Sequence, residues 1–235
     1  MEAQMPFIRN LASSDRKLRT TSLDSLKLFL SSRTCLTQTD ALKLWKGLYY
    51  AMWMTDRPIP QQRLAADLGR LADDAPIRSP ADKATWFSAF WDVLGQQWSS
   101  IDKHRLDKFL MLVRRVLAAN LRLASQEEDV AAVLTSWPLD KEGDLRAVPL
   151  GLRLHVLDIL VDELEREACL ENDEFVQKIG QVLQSLYGCP IKQVRERSRE
   201  TYSDERLPWA EKKADEDRQD VDGDDDDDEW GGFDD

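Results

Sequence analysis

The chain has 235 residues, of which 42% are hydrophobic and 8 are tryptophan, enough apolar surface for one sizeable core or a short stack of similar units. Its formal charge of −12 is concentrated at one end: residues 207–235 hold 14 acidic and 3 basic residues, leaving 30 acidic and 29 basic in residues 1–206. The body is therefore nearly neutral, and the low isoelectric point does not exclude RNA as its partner.

Helix signals dominate the body and no alternating strand run is evident. Apolar spacing predicts paired helices at 14–31 and 38–55, 61–73 and 81–98, 101–123 and 127–136, and 150–168 and 172–187, with a shorter basic helix near 191–200. Four Ser/Thr-x-x-Asp/Glu pairs are expected to open helices as capping boxes: Thr37–Asp40, Ser79–Asp82, Ser99–Asp102 and Ser125–Glu128. Pro80 suits the first helical position, and Pro58, Pro138 and Gly188 mark ends. Four successive helical hairpins imply an all-α domain over 1–206, either a stack of antiparallel helical hairpins, a HEAT-like α-solenoid, or an irregular helical bundle. Residues 207–235 have few aliphatics and a run of five aspartates. They are expected to form a disordered acidic tail, apart from possible anchoring through Trp230 and Phe233.

The second helix contains KLWKGLYYAMWMTDRP, residues 43–58. On a helical wheel, Leu42, Leu44, Trp45, Leu48, Tyr49, Ala51, Met52 and Trp53 cover an arc of roughly 200°, twice the stripe of a surface helix. The remaining strip holds Lys43, Lys46, Gly47, Tyr50 and Met54. Such a helix needs cover on two sides, so the stretch reads as a wall between packed layers. A membrane segment is excluded by its length and bracketing charges, and most rings point the wrong way for a base-stacking platform.

No signature of an enzyme active site or a nucleotide-binding loop appears. Cys35, Cys169 and Cys189 are far apart and lack CxxC spacing, so they read as reduced thiols with no disulfide framework and no zinc site. His155 lies on an apolar helix, and Asp158–Asp162 reads as a solvated carboxylate pair. No cofactor or metal is indicated. The N-terminal MEAQMPFIRN lacks the pattern of a secretory signal, and uninterrupted apolar runs such as Phe109–Val113 are far short of a membrane span. A soluble intracellular chain with no membrane partner is expected.

One surface feature points to a partner. On the wheel of the helix beginning near Ile101, His104, Lys108, Arg115 and Arg122 fall opposite the apolar face, with Lys103 and Arg114 at the edge. A basic stripe of about five turns could follow an RNA phosphate backbone or meet an acidic protein surface. The alternative is an ordinary solvated helix face. A second cluster, KQVRERSRE from Lys192 to Glu200, mixes both signs and could pair with the acidic tail.

LWKGLYYAMWMTDRP (Leu44–Pro58), FWDVLGQQWSSIDKHRLDKFLMLVRRVL (Phe90–Leu117) and PFIRNLASSDRKLRTTSLDSLKLFLSSR (Pro6–Arg33) resemble the ribosomal RNA processing protein 1 family of eukaryotic nucleolar proteins. The resemblance covers most of residues 5–200. It implies a non-catalytic assembly factor in the nucleolus, associated with large-subunit pre-ribosomal particles and needed for maturation of their precursor RNA. Implied partners are other assembly factors, ribosomal proteins and precursor ribosomal RNA, with a monomer inside a larger complex. The alternatives are a helical-repeat adaptor that binds protein alone, or an acidic-tail chaperone of basic proteins.

Overall fold

The computed structural model describes residues 15–74 and 79–210, together with residues 10, 11, 13 and 77. Among these the fold is all-α, with nine α-helices and no strand. They are α1 (Arg16–Ser32), α2 (Gln38–Trp53), α3 (Pro58–Asp74), α4 (Pro80–Gln97), α5 (Leu106–Ala124), α6 (Glu128–Ser136), α7 (Leu150–Arg166), α8 (Asp173–Ser185) and α9 (Lys192–Tyr202). No described helix is long and apolar enough to cross a membrane. The expected disorder of the tail, and the anchoring roles of Trp230 and Phe233, lie outside the described residues.

Two of the four expected caps form. Thr37 Oγ1 accepts from the Asp40 amide and Ser79 Oγ from the Asp82 amide, both at 3.1 Å, with Pro80 at the first helical position. Asp82 does not reciprocate within its own box; its carboxylate accepts from the Leu36 amide at 2.8 Å and so fixes the α1–α2 turn onto the start of α4. The other two boxes fail. Ser125 ends α5, where its hydroxyl donates back to the Arg122 carbonyl, and α6 starts after Glu127 without a side-chain cap. Asp102 accepts from the amides of His104 and Arg105, and this turn delays the start of α5 to Leu106.

Packing follows the order of stacked pairs. α2 lies on α4 and α4 on α6, while α3 lies on α5, α5 on α7 and α7 on α9. Two layers result, joined where α5 meets α6 and α8 meets α9. α2 is covered from both layers, as its wide apolar arc requires. Trp45 packs on Trp86 and Phe90 of α4 at centroid distances of 4.6 and 4.8 Å, and Tyr49 stacks on Phe109 of α5 at 4.7 Å. The indole of Trp45 donates to the Trp86 carbonyl, and that of Trp91 to buried Asn120 of α5. Both indole N–H groups are thus partnered while the rings fill the core, whereas the buried Tyr49 hydroxyl has no hydrogen-bond partner.

Two structural devices finish the body. Arg153 of α7 is fully buried and donates to the carbonyls of Asp140, Asp144 and Val148 and to the Asp140 carboxylate, which gathers the long α6–α7 connection beneath it. Residues 207–210, assigned to the tail by composition, pack on the body instead. Leu207 is buried against Val161 and Val176, and Trp209 lies over Gly180, where an added Cβ would stand 2.7 Å from the ring.

Candidate functional site

The basic residues expected to share one exposed stripe divide into two groups. Lys108 is buried, 4% exposed, and faces inward. Its Nζ donates to the carbonyls of Trp53 at 2.6 Å and Thr55 at 2.9 Å, with Asp56 at 3.8 Å. It therefore satisfies the Trp53 carbonyl at the end of α2 and joins the Gln61 side-chain amide at the Thr55 carbonyl just beyond it. Burial pushes its pKa down, opposed by Asp56. The placement of Lys108 on an exposed stripe is corrected by these bonds.

Arg114 and Arg122 are held in ion pairs between helices. Arg114 of α5 donates to Glu163 at 2.5 Å and Asp162 at 2.6 Å, both on α7. Glu163 is itself buried and also pairs with Arg166. Arg122 bridges Asp73 of α3 and Glu167 just beyond α7. The network continues through Arg206, which pairs with Asp162, Glu165 and Asp204. These arginines stitch α3, α5 and α7 together along one layer.

Lys103, His104 and Arg115 remain exposed, and none of the three makes an ion pair among the described residues. Lys103 and His104 stand on the turn before α5 rather than on the helix, so the wheel misplaced them relative to Arg115. Arg105 in the same turn lies over the ring of Trp53 at 4.7 Å and pairs with Asp102, whose carboxyl it holds below the usual range. The turn is thereby docked on the end of α2.

That docking brings up residues not counted as site residues in the sequence. The outer strip of α2 exposes Lys46, Tyr50 and Met54, the α2–α3 connection adds exposed Arg57, and the first turn of α3 adds exposed Ile59. Tyr50 is 48% exposed and stands edge-on to buried Tyr49. Cations interleaved with an exposed ring and apolar side chains form a surface suited to nucleic acid or to an acidic protein face. The signal was the narrow strip left over by the wide apolar arc. His155 belongs elsewhere: it is half-buried between α7 and α5, with Nε2 3.2 Å from the Leu110 carbonyl. Among the described residues, no group of histidine, cysteine and acidic side chains is arranged to hold a metal ion.

The chain matches the family described as "Nucleolar protein, Nop52" over residues 2–232. It belongs to that family. Its relatives include "Ribosomal RNA processing protein 1 homolog B" of Homo sapiens, 30% identical over 173 residues, covering 70% of this chain and 23% of the relative. The Drosophila melanogaster "Ribosomal RNA processing protein 1 homolog" is 32% identical over 173 residues, 70% of this chain and 25% of the relative. The Mus musculus homolog A is 28% identical over 196 residues, 76% and 39% respectively. The chain thus spans roughly a quarter to two-fifths of these relatives. Membership of this Nop52 family puts the protein in the nucleolus.

Proposed function

We propose that this Nop52-family protein is a non-catalytic scaffold of the nucleolar large-subunit precursor that supports removal of spacer from the precursor ribosomal RNA. Its helical body presents one surface to precursor RNA and others to assembly factors and ribosomal proteins, and it works as a monomer within that larger particle. The cutting is done by other proteins. The observation that carries the reading is the division of the cations within a family whose relatives are named for ribosomal RNA processing. Lys108, Arg114 and Arg122 are consumed inside the fold, whereas Lys103, His104 and Arg115, with Lys46 and Arg57, are left for a partner.

Replacing Lys103, His104 and Arg115 together by glutamate tests this. The variant should keep its melting temperature, because no described hydrogen bond or ion pair of their side chains is lost. Its crosslinking to precursor RNA in cells should fall by about tenfold or more, since each phosphate contact contributes to a salt-dependent affinity. Unchanged crosslinking by a folded variant would remove these residues from the RNA surface.

A protein-only adaptor is the second reading. It is favoured by a groove between α6 and α8, which is a different kind of surface.

A further inference from the structure

The second layer is continuous from α2 through α4 to α6 and then opens. α8, the next helix in the stacking order, packs on α9 and leaves a groove of about 560 Å³ between itself and α6. The floor is apolar: Ala131 and Leu134 from α6 face Phe175, Ile179 and Val182 from α8. One end is closed by the α5–α6 turn, which Asn172 ties to the start of α8 by donating to the Ser125 carbonyl at 3.1 Å. The bounding helices have 9 and 13 residues, about 14 and 20 Å at 1.5 Å per residue, so the groove matches roughly three turns of a helix.

Charge selects the occupant. Because α6 and α8 begin at the tied end, their acidic first turns converge there. Glu127 and Glu174 are paired with Lys83 and Lys178, whereas Glu128, Asp129, Glu171 and Asp173 are exposed and make no ion pair among the described residues. These acids favour the helix dipoles; Glu128 lines the groove itself, and Asp129, Glu171 and Asp173 stand exposed at the same helix starts, so the approach to the tied end is negative. The other end is neutral, lined by Thr135, Gln181 and Ser185. We infer that the groove receives an amphipathic helix of another protein, with apolar residues at i, i+3/i+4 and i+7 and lysines or arginines clustered at one end. The chain's own C-terminal segment, with 14 acidic and 3 basic residues in 207–235, carries the wrong sign.

This inference rests on the scaffold reading only for where the partner is met, so the test separates the two. A photocrosslinking amino acid is placed at Thr135 or Gln181 of the full chain, both exposed on the rim. Particles are purified from cells, and the crosslinked segment is sequenced while sedimentation with precursor RNA is followed in the same extract. The expected product is a net-positive segment of another protein with helical apolar spacing. Its yield should fall by about tenfold in Glu128→Lys/Glu174→Lys and in Val182→Glu, with melting of each variant checked separately. Crosslinks to residues 211–235, to a second copy, to RNA, to an acidic segment or to nothing would overturn the groove assignment. In those cases co-sedimentation with precursor RNA would leave the scaffold reading standing, and its loss in the unsubstituted chain would end that reading as well.

Discussion

Lys108 and His155 show how far a side chain's role depends on what lies across from it. Lys108 is a lysine on the polar side of a helical wheel, yet its ammonium closes the end of α2 against two carbonyls. Lys108→Met keeps the volume of the stem and removes the donor, leaving the Trp53 carbonyl without its ammonium partner while the Thr55 carbonyl retains the Gln61 side-chain amide. It should cost about 2–3 kcal/mol in urea or thermal unfolding, and a cost below about 0.5 kcal/mol would show that water replaces the ammonium. His155 makes a pH prediction. Burial pushes its pKa below the ordinary 6.5, with Arg114 adding to the shift and the Leu110 carbonyl opposing it. A group with a lowered folded pKa contributes stability that is present above the unfolded value and lost as pH falls through the folded value. Stability should therefore drop as pH is lowered from about 6.5, and His155→Gln should flatten that part of the profile. A profile identical in both proteins would place the acid sensitivity elsewhere.

At the scale of the helix, elements were legible wherever local sequence decides them and misread wherever a distant contact does. Periodicity located all nine helices among the described residues, with boundaries mostly within a few residues. The caps at Thr37 and Ser79 were readable because each bond lies within its own turn. Ser99–Asp102 has the same pattern and fails, since Asp102 organises a turn that Arg105 docks onto Trp53 of another helix. The basic stripe failed for the same reason: a wheel shows which residues point away from one core face, while α5 is met by α3, α6 and α7 as well. Arg153 and Glu163, both buried ionic residues, left no local signal at all. Gly95 tests how strongly such distant contacts dominate. Propensity favours alanine over glycine in a helix by about 1 kcal/mol, but a Cβ there would stand 2.2 Å from the Ala147 carbonyl of the α6–α7 connection. Gly95→Ala should therefore destabilise, by about 1–3 kcal/mol. A stabilised variant would mean that the connection moves aside freely.

The whole molecule is a two-layer helical body whose inner helices are covered on both sides and whose charges are sorted by use. One set of arginines holds α3, α5 and α7 together, a set of cations and an exposed tyrosine is left at the α2–α5 end, and an acidic-mouthed groove opens where α8 departs from the stack. This sorting is the physical content of the scaffold proposal: separate surfaces of opposite sign on a rigid frame can hold RNA and a basic protein at once. The most direct measurement is purification of the tagged full chain from cell extract, followed by gradient sedimentation and sequencing of the bound RNA. The scaffold account predicts co-sedimentation with large particles that contain large-subunit precursor RNA. Recovery only as a small, RNA-free complex would contradict it.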